Sequence, residues 1–409
     1  MTGADHAQTP GLAPVARANR ILNLDVLRGA AVLGILAVNA MSFAWPIATS
    51  ADPASAPFAM EGADRIGAWV VDVFFQDKFR SLFSMLFGVS IFLVGGEAAD
   101  HGRGRLVRRR LWWLGLFGLI HGLAVWYGDI LLHYACCGLL LLSMRSWPAG
   151  RLIRVGGGVS LAIGLVSAGM ALAVAHLPSE VASEMAESAP NAGSKAIGAI
   201  IETVRSGWGP AMYENLKAWM LVQGISLLLI PATMALMMLG LGLFKSGWLS
   251  GKAPVWTYVT AVMVASINLA VLGICEWRAS GIGTASTEGM VGMAGAFGFV
   301  ITLGYAAVLI LLARFGGRAV SGVLAPAGRM AFTNYLSQSL IMASLFYLPW
   351  GPRLYGQIGP GALWAVVVAV WLAQLVWSPL WLSRFEMGPL EWVWRRVTYG
   401  RKIELLKRA

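Results

Sequence analysis

Long apolar runs recur along the whole length of this chain, each about twenty residues and each closed by a short polar or basic cluster. Runs of that length are what a helix needs to cross a bilayer. They predict about ten membrane spans, over 21–45, 79–96, 110–127, 129–145, 152–176, 219–244, 254–276, 290–313, 328–348 and 361–383. The stretch from Glu61 to Phe79 carries Asp64, Arg65, Asp72, Asp77 and Lys78 among Trp and Phe, and predicts an amphipathic helix lying on the surface and feeding the second span. Every second loop is basic: Arg103, Arg105, Arg108, Arg109 and Arg110 precede the third span, and Arg145, Arg151 and Arg154 the fifth. The alternate loops are acidic or nearly neutral, notably 177–210 with Glu180, Glu184, Glu187 and Glu202. Basic loops stay on the cytoplasmic side, so both termini are expected there.

Three regions follow: a disordered cytoplasmic N-terminus (1–20), a transmembrane helical domain (21–383), and a basic interfacial tail (384–409). The loop 177–218, on the outer face, is rich in Ser, Ala and Glu and reads as a mobile hairpin.

Composition sharpens this all-α, polytopic reading. Of 409 residues, 57% are hydrophobic and 12% charged, and the mean hydropathy is +0.68. A soluble chain of this size would need more charge to cover its surface. The net charge of +11 sits in clusters between apolar runs, the pattern of loops beside anionic lipid and not of a nucleic-acid surface. The three cysteines, Cys136, Cys137 and Cys275, have no zinc-ligand spacing, and no metal is expected.

Ionisable groups within apolar runs are the candidates for chemistry, because burying them in hydrocarbon is costly. His121 and Asp129 flank the short break at Tyr127-Gly128, so the two can meet. They form either a general base oriented by a carboxylate, or a buried histidine on a backbone carbonyl with Asp129 capping the next helix. Asp25, Arg28 and Asn39 lie near one stripe of the first span. The first two make an ion pair at the helix end or face a cavity, and Asn39 is expected to line one. Lys78 and Arg80 either neutralise an anion at the outer mouth of the second span or snorkel to the interface. Arg110 shares a face with His121 one helix length away. Asn334 and Gln338 share a face of the ninth span, as helix glue or as ligand-binding amides.

Five motifs in order, LDVLRGAAVLGILAVN, DKFRSLFSMLFG, LIHGLAVWYGDILLHYA, GRMAFTNYLSQS and GPLEWVWRRVTYGR, cover Asn23 to Arg401. Through them the chain resembles the YeiB-like bacterial inner-membrane proteins, a family of unknown function. That family looks distantly similar to the transmembrane acyltransferases, which include heparan-glucosaminide N-acetyltransferases. The resemblance implies an acyl-coenzyme A donor, most simply acetyl-coenzyme A, a small-molecule acceptor such as an envelope sugar, and a homodimer. Arg28 and Asn39 carry the shared element, but the His expected in the loop after Asn39 is missing between Phe43 and Ser55. His121 then becomes the candidate base, oriented by Asp129, with Asn39 donating to the thioester carbonyl. Arg28, Arg110, Lys78 and Arg80 become candidates for the coenzyme A phosphates, and Asn334 and Gln338 for the substrate. The competing expectation is a transporter of a small anionic or amphiphilic solute, against which stands the lack of any matched pair of Gly/Pro-broken spans.

Overall fold

The computed structural model describes residues 21–50, 60–177, 181, 194–280 and 285–407. The N-terminal region 1–20 and most of 178–193 lie outside the described residues. Apart from one isolated antiparallel bridge, Phe385 with Leu406, the regular structure described is helical.

The first half of the bundle runs α1 (Leu22–Ala44), α2 (Gly62–Val70), α3 (Lys78–Gly95), α4 (His101–Ala124), α5 (Leu131–Leu141) and α6 (Ala149–Ala175). Then come α7 (Ser194–Ser206), α8 (Trp208–Leu228), α9 (Ile230–Lys245), α10 (Val255–Ala279) and α11 (Ala285–Gly295). The chain closes with α12 (Gly298–Phe315), α13 (Gly317–Arg329), α14 (Ala331–Phe346), α15 (Pro360–Arg384) and α16 (Pro389–Tyr399). Among the described residues six helical units are long and apolar enough to cross a membrane: α1, the 34-residue unit from Gly62 to Gly95, α6, α10, α12 and α15. The bent pair α8–α9 makes a seventh. This is a polytopic helical membrane protein. Its outward faces are apolar, with Val166, Met170, Ile267, Leu372 and Leu380 among the exposed side chains, as lipid contact requires.

Several expected spans turn out to be interrupted. The run 219–244 is two helices meeting at Leu229 with a 59° bend. Pro231 explains it, since proline supplies no N–H to the preceding turn but is tolerated at the start of a new helix. The run 290–313 breaks between α11 and α12, where Gly295 and Gly298 weaken the helix. Residues 62–75 are no free surface helix. They continue through a π-helical turn, Val71–Phe75, toward α3, while Asp64 accepts from the Gly361 amide and Gly67 from Trp364 Nε1, seating α2 on α15.

The loop 177–218 is also more ordered than its composition suggests. Residues 194–218 form α7 and the start of α8, and Ile197, Ile201 and Val204 are buried in the core at that end. The basic tail folds back: Glu391 of α16 accepts from the Phe332 and Thr333 amides (2.8 and 3.1 Å) and from Thr333 Oγ1 (2.5 Å). It thereby satisfies open donors at the first turn of α14. Burial lifts the Glu391 carboxyl above its ordinary range, against the pull of those hydrogen bonds.

The tightest crossing is α1 against α13. A Cβ added at Gly328 would overlap the Asp25 carbonyl, and one at Gly29 the Leu324 carbonyl. Reciprocal glycines are how membrane helices bring backbones together.

Candidate functional site

α4 ends at Ala124, and the turn to α5 is compact because Gly128 lies under the Trp126 ring, where a side chain would collide. The turn brings His121, in the last turn of α4, to Asp129. Nδ1 is 2.9 Å from Oδ1, while Oδ2 accepts the Leu132 amide at 2.9 Å. Both sequence alternatives for Asp129 are therefore realised at once: it holds the imidazole and caps α5. Gly118 and Gly122 let this happen, since a Cβ on Gly118 would sit 2.6 Å from Asp129 Oδ2, and one on Gly122 would strike the Trp219 ring. A carboxylate on Nδ1 favours the tautomer that leaves Nε2 as an acceptor. That nitrogen is buried with no hydrogen-bond partner among the described residues. The imidazole packs against Trp126 (6.4 Å between centroids) and Tyr335 (5.5 Å).

A central cavity of about 200 Å³ lies beside the pair. Asp129, Asn39, Arg80, Asp77, His133 and Tyr335 are among its lining residues. Asp129 is thus the member of the pair that faces the cavity, and the imidazole stands one layer behind. Arg80 Nε is 2.8 Å from Asp77 Oδ1, and His133 Nε2 is 2.8 Å from Thr233 Oγ1.

Asp77 has φ 62°, a left-handed conformation unusual outside glycine. It follows the π-helical turn directly. Irregular backbone at membrane depth is tolerated only where protein or a water-filled space satisfies it. Here side chains do so: Lys78 Nζ donates to Asp72 O (2.7 Å), Tyr305 Oη to Phe74 O (3.1 Å) and Thr302 Oγ1 to Lys78 O (3.1 Å). Strained backbone held in place this way is concentrated at functional sites.

A second cavity, about 290 Å³, opens at the arginine-rich end of the bundle. Its rim carries Arg28, Arg110, Arg329 and Arg395 together with Asp25, Glu386 and Glu391, and below the rim the walls are apolar, with Val32, Phe83, Phe87 and Leu114. Arg28 reaches Asp25 (3.2 Å) and Ser90 Oγ (2.9 Å). Arg110 is stacked on Trp394 of α16 at 3.7 Å and makes no ion pair among the described residues. The two cavities share Ile35, Ile130 and Tyr335 as lining residues, so they abut.

Three of the expected site residues stand elsewhere. Lys78 is 4% exposed, turned from the cavity onto the Asp72 carbonyl; it mends the broken helix and holds no outer mouth. Asn334 and Gln338 are 0% and 2% exposed and line neither cavity. Asn334 donates to Ala327 O and Ser378 Oγ and accepts from Trp377 Nε1, and Gln338 donates to Val32 O and Gln374 Oε1. These amides are helix glue, their bonding capacity spent on α1, α13 and α15. Arg80 lines the central cavity instead of an outer mouth.

Sequence reasoning missed Tyr335, Arg329, Arg395 and Asp77. Tyr335 neighbours the two amides in the sequence, and an aromatic between polar residues reads as core. The arginines read as lipid-facing charge.

A family model described as a protein of unknown function (DUF418) matches residues 243–401, a segment that includes Tyr335, Arg329 and Glu391 but not His121 or Asp129. The chain is 31% identical to the uncharacterised protein YeiB of Escherichia coli (strain K12) over 421 residues, covering 93% of this chain and 96% of that one. It is 32% identical to the uncharacterised protein YxaH of Bacillus subtilis (strain 168) over 407 residues, covering 95% and 96%. An uncharacterised 39.9 kDa protein from the amylase 3′ region of Bacillus acidopullulyticus is 28% identical over 399 residues, covering 96% and 98%. No solved structure matches.

Proposed function

The chain belongs to the YeiB family of multi-pass membrane proteins, and from that premise we propose that it is a membrane-embedded acyltransferase. One observation carries the reading: a buried His–Asp pair with an unpartnered imidazole nitrogen has its Asp129 on the wall of the central cavity, next to Ile130, which lines both cavities. The cavity at the basic end fits a phosphate-bearing thioester. Arg110 offers a guanidinium that makes no close ion pair among the described residues, and a desolvated charge of that kind favours an anionic ligand. From Arg28 to Ile35, α1 rises about 10 Å, which separates a head bound at the rim from the meeting point of the cavities. The central cavity, with Asn39 and Arg80, takes the acceptor.

The acceptor's hydroxyl or amine bonds to the thioester carbonyl carbon and loses its proton to His121 Nε2, while Asp129 stabilises the imidazolium. The carbon–sulfur bond then breaks, and the imidazolium returns the proton to the departing thiolate. An envelope sugar is the acceptor suggested by kinship.

Sidedness completes the proposal. Seven candidate crossings, together with α4, α5 and α14, make ten in a bacterial inner membrane. Both ends of the chain and the arginine-rich cavity mouth then face the cytoplasm. A cysteine introduced at Arg105 is expected to react with a membrane-impermeant maleimide only after cells are opened; labelling in intact cells would refute this orientation.

A second reading has its own support. Two interrupted helical units, α2–α3 at Asp77 and α8–α9 at Leu229, both reach the central cavity. Discontinuous helices around an internal site are a feature of transporters, although these two interruptions, at Asp77 and beside Pro231, are not a matched pair of Gly/Pro breaks. Coenzyme A release in detergent without solute uptake into sealed liposomes supports the enzyme. Uptake without release supports the transporter.

A further inference from the structure

Of the three residues that both cavities share, one is a tyrosine beside the His–Asp pair with no assigned task. Tyr335 lines the basic-end cavity and the central cavity. It is 5% exposed, and its hydroxyl is buried near the Ile130 backbone without reaching hydrogen-bonding geometry to any described group. Buried hydroxyls in native proteins are nearly always satisfied, and one that is not calls for an explanation such as a ligand. Its ring lies 5.5 Å from that of His121.

The orientation of the ring is fixed from the other side of α14. Asn334, one residue earlier, and Gln338, one turn later, are tied into neighbouring helices by short hydrogen bonds, Gln338 Nε2 to Gln374 Oε1 at 2.7 Å and Trp377 Nε1 to Asn334 Oδ1 at 2.8 Å. With the helix locked against rotation, position 335 points at the cavity wall. The other side-chain donor considered for a carbonyl, Asn39, lines only the central cavity.

We infer that Tyr335 is a catalytic residue, whose hydroxyl donates a hydrogen bond to the acyl carbonyl oxygen at the point where donor and acceptor meet. This inference rests on the acyltransferase reading. As the acceptor heteroatom bonds the carbonyl carbon, the π electrons move onto oxygen, and Tyr335 Oη–H stabilises that charge without giving up its proton. When the carbon–sulfur bond breaks, the oxygen regains its double bond and the tyrosine is unchanged. The same ring lines both cavities together with Ile35 and Ile130, and on this inference it also helps keep water from the thioester before an acceptor arrives.

The test uses the full-length protein in lipid nanodiscs, with acetyl-coenzyme A as probe donor and glucosamine as probe acceptor. Tyr335→Phe keeps the ring and removes the hydroxyl. It is expected to lower kcat about a hundredfold, with KM for acetyl-coenzyme A and the thermal midpoint unchanged. Tyr335→Ala removes the ring as well, and coenzyme A release without acetylated product is expected to rise relative to transfer. Wild-type kcat in Tyr335→Phe, or a change confined to KM, overturns the role of the hydroxyl while leaving the acyltransferase reading intact. No coenzyme A release from the wild type ends both.

Discussion

His121→Gln is expected to lower acyl-dependent coenzyme A release by about a hundredfold or more, the usual contribution of a positioned general base, while the protein remains folded. The choice of glutamine follows from what lies behind the imidazole. Asp129 has 0% side-chain exposure, and its Oδ1 is held by His121 Nδ1. Alanine at 121 would leave a buried carboxylate with one of its two partners gone, a loss that costs about 3–5 kcal/mol when the group remains charged. His121→Ala is therefore expected to abolish any turnover for two reasons at once, and glutamine, whose amide still donates toward Asp129, separates them. Asp129→Asn is the reciprocal probe: it keeps an oxygen for the Leu132 amide but no longer stabilises an imidazolium. Full release of coenzyme A by His121→Gln, measured with a thiol reagent at saturating donor, would remove His121 from the chemistry.

The largest effect on stability is expected at a residue remote from that pair. Gly328→Val should cost about 3 kcal/mol or more, at the upper end of what overpacking does. The reason is that the obstruction is backbone. A Cβ at 328 overlaps the Asp25 carbonyl and approaches Gly29 N to 2.7 Å, so no side-chain rotation can relieve it. The axes of α1 and α13 would have to separate, and α1 carries Asp25, Arg28, Ile35 and Asn39 into the two cavities. Gly322→Val is the matched control, since nothing lies within 4 Å of a Cβ there. Equal thermal midpoints for the two variants in detergent would show that the helices do not cross as described.

What was readable in advance follows the physics of each element. α1 closely matches the run 21–45 and α15 the run 361–383, because a lipid-embedded helix must be continuously apolar. The approach of His121 to Asp129 was legible too, eight residues apart across a glycine turn. The breaks were not. Asp77 sits in a run that reads as ordinary helix, and its left-handed backbone is sustained by Lys78, Tyr305 and Thr302, the last two more than two hundred residues away in sequence. Asn334 and Gln338 misled for the opposite reason: an amide within an apolar run looks the same whether it meets a ligand or another helix. Only the positions of Gln374, Trp377 and Ser378 decide between the two.

The tail helix adds a constraint in time. The wall of the basic-end cavity joins Asp25 and Arg28 to Trp394 and Arg395, so the ends of the described chain meet in one rim. Until α16 has been synthesised and folds back, Arg110 lacks its indole and the first turn of α14 lacks its carboxylate cap. A nascent polypeptide already threaded into the bilayer would therefore have an unfinished basic-end cavity until α16 is made, and a premature stop codon anywhere before α16 would yield an inserted but unfinished shell.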